Sequence, residues 1–333
     1  MVAVSAAAAC APRSERSDRV SEEGAPRLAT APPPASTGAA PGIAALSPVL
    51  HVKLARLRRI VAGAGGAVIA YSGGVDSTLV AFVAHEQLGD RALACTAASP
   101  SMDDDELAQA VALAGRMGLR HLVVRTRETE REDYARNGID RCYVCRRSVL
   151  GRLRSVAREQ GLATVLYGAN LDDGADFRPG QRAAAELGVR APLVEAELAK
   201  TEVRALARAL GLENADKPAA PCLSSRIPYG QRVTVEKLRQ VGAAERVLRQ
   251  LGFGEVRVRH HGSVARIEIS PEDLERAVRP ALRLAILEAL APLGFAYVAL
   301  DLQGFRSGSL NEVLAIPLEQ ADQPDGGTPA RRA

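Results

Sequence analysis

From about residue 67, short apolar runs alternate with stretches of helical spacing. Ala67–Tyr71 reads as a buried strand, and Thr78–Leu88 follows with apolar positions at helical intervals. Ala92–Thr96 repeats the strand pattern. Asp103–Met117 opens on acids, keeps helical spacing and stops at Gly118, an order that the helix dipole and a glycine terminus favour. His121–Arg125 and Thr164–Tyr167 read as further strands, with a helix over Arg146–Glu159 between them. This alternation predicts an α/β fold, a parallel sheet covered by helices on both faces, with ligands at the carboxyl ends of the strands.

After about residue 232 the rhythm changes. Thr234–Leu251 predicts a helix capped by its threonine. Glu255–Arg259 and Ala265–Ile269 alternate apolar and polar residues, and His260–Ser263 joins them as a hairpin. Two helical stretches separated by Pro280 follow, then a strand at Tyr297–Leu302. The expected organisation is a disordered tail over 1–46, an α/β domain over 47–231, a small α+β domain over 232–317 and a second loose tail over 318–333. The first tail carries Pro32-Pro33-Pro34, which excludes helix and central strand.

Composition narrows the partners. Hydrophobic residues make up 47% and charged residues 25%, ordinary for a globular chain. No apolar run approaches the ~18 residues of a membrane span. There is no Trp, and only five Phe and six Tyr, which is poor material for stacking single-stranded bases. The net charge is +4, and nearly all of the positive charge is arginine, since only Lys53, Lys200, Lys217 and Lys237 are lysine. The expectation is therefore no nucleic-acid partner and no membrane. The apolar first residues end in Cys10, as in a lipoprotein signal, but no basic segment precedes them, and a cytoplasmic location is expected.

The strongest chemical signal is Ser72-Gly73-Gly74-Val75-Asp76-Ser77, placed between a predicted strand and a predicted helix. Two glycines let the backbone approach a phosphate, and the N–H groups of the turn and helix start point at the anion. Asp76 would repel phosphate by itself, so it fits a Mg²⁺ or a loop-organising role. The pattern is neither G-x-x-x-x-G-K-[ST] nor G-x-G-x-x-G.

Cys142-Tyr143-Val144-Cys145 is a CxxC, and Cys222 lies in a second distant segment. Neither segment shows strand or helix periodicity around its cysteines, so both are expected in loops at the active edge. Three thiols hold three irons of a 4Fe–4S cluster and leave the fourth open. A closed zinc site would need His121, His260 or His261 as fourth ligand. Arg141, Arg146, Arg147 and Arg226 would favour thiolates. Cys95 is expected in the core.

Taken together, SGGVDS, RCYVCR, Tyr167-Gly168-Ala169-Asn170-Leu171-Asp172-Asp173, Phe177-Arg178-Pro179-Gly180, KPAAPCLSSRIPYG, Arg257-Val258-Arg259 and Ala265-Arg266-Ile267-Glu268 resemble the LarE family over about residues 50–315. LarE proteins are ATP-dependent sulfur transferases of the PP-loop ATP pyrophosphatase superfamily that build the nickel-pincer nucleotide. The resemblance implies ATP and Mg²⁺ at Ser72–Ser77 and Gly168, and adenylation of pyridinium-3,5-biscarboxylic acid mononucleotide before sulfur replaces AMP. It implies sulfur chemistry at Cys142, Cys145 and Cys222, here of the type that binds a 4Fe–4S cluster. The sulfide donor is not implied. A homo-oligomer is.

On a strand, residues two apart share a face, so Arg257 and Arg259 project together, and Arg266 and Glu268 adjoin them across the hairpin. This face serves either as an anion site or as a solvated, ion-paired sheet face. The resemblance implies that the arginines, with Arg226, take the substrate phosphate, and that Glu245 and Glu268 are acidic substrate or metal positions. Asp172, Asp173 and Asp176 form an acidic cluster, with Asp173 a divalent-ion candidate. Lys217 is expected beside the acyl phosphate. A tRNA thiolation enzyme, an amidating PP-loop synthetase and a nucleotide-binding regulatory module without turnover are the alternatives.

Overall fold

Strands that are apolar on both faces need cover on both, and the first four supply a sheet for helices to enclose. The computed structural model describes residues 42–175, 179–306 and 308–310. The first part runs α1 (Pro48–Ala62), β1 (Ala67–Ala70), α2 (Val75–Leu88), β2 (Ala92–Ala98), α3 (Asp104–Arg116), β3 (His121–Arg125), α4 (Glu132–Ala135), α5 (Arg141–Glu159), β4 (Thr164–Tyr167), α6 (Pro179–Glu186), α7 (Pro192–Glu195) and α8 (Lys200–Ala209). The sheet is parallel, in the order β3–β2–β1–β4, with Ala67 beside both Ala92 and Thr164. Successive residues of β1 feed opposite cores. Val68 joins Leu93, Cys95 and the α5 residues Leu150, Leu153 and Val156, while Ile69 joins Leu54 and Leu57 of α1, Leu79 of α2 and Leu206 of α8. Strand order reverses between β1 and β4, and the carboxyl ends of these two strands form the crevice where such sheets bind ligands.

The second part comprises α9 (Val235–Gln250), β5 (Val256–His261), β6 (Val264–Ile269), α10 (Leu274–Val278), α11 (Pro280–Leu290) and β7 (Tyr297–Leu300). Thr234 caps α9 by accepting from Lys237 N at 3.3 Å. β5 and β6 are antiparallel and β7 adds in parallel to β6. The core of this part (Leu238, Val241, Val256, Val258, Ile267, Leu290) also takes in Tyr134, Val144, Leu223 and Ile227. The start of α5 and the Cys222 segment are therefore packed into the second part as well as the first.

Three expectations change. α5 begins at Arg141, five residues before the predicted start, so Cys142 and Cys145 lie in its first turns and not in a loop. Its opening Arg-Cys-Tyr-Val-Cys-Arg-Arg run gives no apolar stripe, and only Val144 is buried against the core there. α2 begins at Val75 inside the phosphate loop. The hairpin joint is shorter than predicted, because His261 pairs with Val264 and only Gly262-Ser263 turns, Gly262 at φ +66°. Among the described residues no helix is long and apolar enough to cross a membrane. Both tails, Cys10, and Asp176, Phe177 and Arg178 lie outside the described residues.

Candidate functional site

The Ser72–Ser77 loop closes on itself. Ser77 Oγ accepts from Ser72 N (3.2 Å) and donates to the Gly74 carbonyl (3.0 Å), and Gly74 N donates to Ser72 Oγ at 3.4 Å. Asn214 Nδ2 donates to the Gly73 carbonyl and to Thr78 Oγ1, each at 2.9 Å. These bonds set the plane of the Gly73–Gly74 peptide at the start of α2, whose first-turn N–H groups lack intrahelical partners. Gly73 sits at φ +72°, and a Cβ there would lie 2.8 Å from Ala110 Cβ. Gly168, at the end of β4, passes over the same turn so closely that a Cβ would lie 2.7 Å from Ser77 N. Both glycines are needed for close approach.

Asp76 is held at this rim by an ion pair with Lys200 at the start of α8 and by Asn170 Nδ2, 3.3 Å from Oδ1. Composition singled out Lys200 only as one of few lysines. Its place at the start of a helix was the available signal. Lys217 instead holds Glu106 Oε2 (2.6 Å) and Gln109 Oε1 (3.1 Å), beside a cavity of about 410 Å³ behind Gly73. Asp172 accepts from Lys200 N at 2.7 Å, capping α8, and Asp173 accepts from Asn170 N at 3.0 Å.

Cys222 precedes a short 3-10 turn, Leu223–Arg226, which docks on the start of α5. Arg141 Nη1 donates to the Ser224 carbonyl at 2.9 Å, Tyr134 Oη and Ser224 Oγ are 2.6 Å apart, and Leu223 N donates to the Ser101 carbonyl at 2.7 Å. Asn137, left-handed at φ 59°, bonds the carbonyls of Ile227, Pro228 and Gln231 and receives Arg141 on its Oδ1. The fastening is internal and dry, since Tyr134, Asn137, Arg141 and Ser224 are all buried. It brings the two cysteine segments into one electrostatic neighbourhood. Burial pushes the Cys145 thiol up, and Glu128, Cys222 and Cys142 push it further. Burial opposes the Arg141 cation, but Cys222, Cys142, Tyr134 and Tyr229 together outweigh it and hold its pKa above the ordinary value. Cys142 and Cys222 are exposed. Cys95 is a core residue, its thiol pushed up to about 12 by burial.

Of the histidines weighed as zinc ligands, His121 is buried against Thr96 (2.8 Å) and His260 bonds Gln240 (2.9 Å). Thr96 spends its hydroxyl proton on the Tyr71 carbonyl at 2.9 Å, so the His121 Nε2 donates to Thr96. Burial holds His121 down to about 4. Among the described residues no three His, Cys, Asp or Glu side chains are placed to hold one metal ion.

The polar face of the hairpin forms as predicted but is covered. Arg259 donates to Glu268 (2.9 and 2.8 Å), to the Ser225 carbonyl (2.7 Å) and to Ser309 Oγ (2.7 Å). Arg226 makes the matching pair with Glu245 (2.7 and 2.9 Å), and its Nη1 also holds the carbonyls of Pro221 and Cys222. Glu245 and Glu268 are wholly buried inside these pairs, so in this arrangement they face arginine and not an open site. Arg257 differs. Its Nη1 bonds its neighbour's carbonyl, Val256 O, and its guanidinium lies 5.0 Å from the Phe305 ring centre, with no carboxylate in ion-pair range among the described residues. Burial, then the Arg226 charge, pulls it down to about 10, against the opposing charge of Glu245, with Arg249 and Arg259 adding to the crowd of cations. A half-buried cation so placed is relieved by an anion.

The chain also matches known proteins in sequence. Residues 67–156, from β1 into α5, match the asparagine synthase family. A protein of Synechocystis that is itself uncharacterized is 47% identical over 80% of this chain and 99% of its own. The tRNA-specific 2-thiouridylase of Rickettsia felis is 29% identical over 54% of this chain and 58% of its own. The pyridinium-3,5-bisthiocarboxylic acid mononucleotide synthase of Lactiplantibacillus plantarum is 41% identical over 74% of this chain and 89% of its own. With its phosphate loop, its order of motifs and this extent of likeness, the chain belongs to the LarE family of ATP-dependent sulfur transferases.

Proposed function

We propose that the chain converts the carboxylates of pyridinium-3,5-biscarboxylic acid mononucleotide to thiocarboxylates, in nickel-pincer cofactor synthesis. The observation that carries the reading is the docking of the Cys222 segment on the CxxC helix, at the edge of a domain that holds a pyrophosphate loop. The loop N–H groups take the pyrophosphate of ATP, and Asp76, steadied by Lys200 and Asn170, orients its Mg²⁺, with Asp173 a further candidate at the same rim. A substrate carboxylate oxygen attacks the α-phosphorus and pyrophosphate leaves. The carboxyl carbon then takes sulfur and AMP leaves. Arg257 holds the phosphate of the mononucleotide, while Arg226 and Arg259 hold the Cys222 segment in place.

Cys142, Cys145 and Cys222 would hold a 4Fe–4S cluster. Mononuclear zinc needs its ligands in one coordination shell, which the described residues do not present, whereas a cluster takes each thiolate on a separate iron. When bound, such a cluster supplies an iron able to carry sulfide. Arg141 is the buried cation in the electrostatic neighbourhood of Cys142 and Cys222.

The test is AMP and pyrophosphate release by anaerobically purified protein, with iron analysis and intact mass before and after turnover. Release that depends on the mononucleotide, with bound iron and unchanged mass, is expected. Loss of one sulfur from the chain would mean that Cys222 is sacrificed. The likeness to a 2-thiouridylase favours a second reading, tRNA thiolation. Salt-sensitive tRNA binding with tRNA-dependent AMP release would establish that reading instead.

A further inference from the structure

We propose that Asp103 is a positioning residue for the sulfur-transfer step, setting through Arg249, Glu245 and Arg226 where Cys222 stands relative to the nucleotide crevice, an assignment that rests on the function proposed above. Asp103 is buried and closes the loop that leaves β2 at the carboxyl end of the sheet. Its two oxygens have different tasks. Oδ1 accepts from Asp105 N at 3.0 Å and caps α3. Oδ2 takes Nη1 of Arg249, from α9 in the other half of the chain, at 3.4 Å. Arg249 Nη2 donates to Glu245 Oε2 at 3.0 Å, Glu245 is paired in turn with Arg226, and Arg226 Nη1 donates to the Cys222 carbonyl at 3.1 Å. The same loop reaches the segment by a second route, since the Ser101 carbonyl accepts from Leu223 N at 2.7 Å.

The relay starts on the element that also shapes the phosphate loop. α3 lies against Gly73, where a Cβ would come 2.8 Å from Ala110 Cβ, and Ala110 is about two turns along the helix from Asp103. One helix therefore meets the pyrophosphate turn on its flank and the Cys222 relay at its cap. Beyond Arg249 the relay is dry, because Glu245 and Arg226 are both buried, and it is not screened as solvated pairs are. Arg246 also comes within 3.8 Å of Asp103 Oδ1, but its close partner is the exposed Asp105 at 3.0 Å, so it does not extend the relay to Cys222. Sulfur transfer depends on such fixing, because an offset of about 1 Å at a reacting atom costs roughly 10²-fold in rate. Adenylation does not depend on it, since its reacting atoms belong to the substrate and to ATP.

The test compares wild type with Asp103→Asn, Arg249→Gln, the double variant and the control Asp105→Asn. Asparagine caps a helix as aspartate does, so Asp103→Asn removes the charge and keeps the cap of α3. The readouts are mononucleotide-dependent exchange of pyrophosphate into ATP, thiocarboxylate formed, and the iodoacetamide labelling rate of Cys222 in reduced, iron-free protein, followed by peptide mass. Each single variant should lose roughly fivefold or more in thiocarboxylate formation and keep exchange within about twofold of wild type. Cys222 labelling should shift by about threefold or more in both, and the double variant should be no worse than either single, as for two ends of one link. Asp105→Asn should match wild type throughout. Wild-type labelling and sulfur transfer in Asp103→Asn, exchange that falls in step with transfer, or additive losses in the double variant each overturn the positioning role. A wild-type chain without mononucleotide-dependent exchange overturns the proposed function, and Cys222 labelling then decides the placement alone. Should Asp103→Asn fail to fold, Arg249→Gln decides.

Discussion

The phosphate loop and the thiol edge are built on opposite principles. In the loop, Ser72, Ser77 and Asn214 hold the turn, and the charge on Asp76 is met by Lys200. Such a site stands ready for a nucleotide that comes and goes, because little has to reorganise when it binds. At the thiol edge the frame is equally tight, but the groups it presents are not satisfied. Among the described residues the buried Glu128 carboxylate has no hydrogen-bond partner, and Arg257 sits among arginines. The contrast separates a surface matched by the chain's own groups from one whose groups are left unmatched among the described residues.

The sharpest way to break the comparison is Asp76→Ala. If Asp76 orients the nucleotide's metal, pyrophosphate release falls by roughly 10³-fold or more while circular dichroism and iron content stay unchanged. Release at the wild-type rate would remove the loop from the mechanism. The paired test at the other edge sets Arg226→Gln against Arg257→Gln. The first leaves Glu245 buried with only Arg249 and the Val258 N–H, and should cost about 3 kcal/mol of stability in denaturant melts. The second should leave stability unchanged and raise the KM for the mononucleotide about tenfold or more. Equal destabilisation by both would make Arg257 a structural residue.

A smaller effect is expected at Gly168, where a Cβ would press on Ser77 N and on the Asp76 carbonyl carbon. Gly168→Ala should slow adenylation by roughly 10²-fold with about 1–3 kcal/mol lost in stability. The weakest lever is pH. His121 titrates near 4 when folded against 6.5 when free, so the unfolded chain binds the extra proton first. Stability is complete above the unfolded value and is lost as pH falls, by roughly 2 kcal/mol between 6.5 and about 5. His121→Gln should flatten that slope in melting curves, and an unchanged slope would place the acid sensitivity elsewhere.

The parallel sheet was legible because its strands are apolar on both faces and its turns carry glycine, so periodicity and punctuation agree. His121–Arg125 and Thr164–Tyr167 were readable residue for residue. The start of α5 was not, because its first turns hold arginine and cysteine, and what orders them is a lock that joins the nearby Tyr134 and Asn137 to Ser224 from a distant position. The alternation of β5 and β6 correctly put Arg259 and Glu268 on one face. It could not tell that Ser225 and Ser309 would cover that face, since strand period says nothing of what packs above it. Glu128 was silent for the same reason, as one acid among several in a charged stretch.

Cys222 is stitched to the loop after β2 through Leu223 N, to α5 through Ser224, and to the hairpin through Ser225. It thus rides on the seam between the two halves of the chain. On the proposed function, parting the halves would carry Cys222 away from the nucleotide loop. On that reading an intact seam is what keeps the thiol within reach of the activated carboxyl.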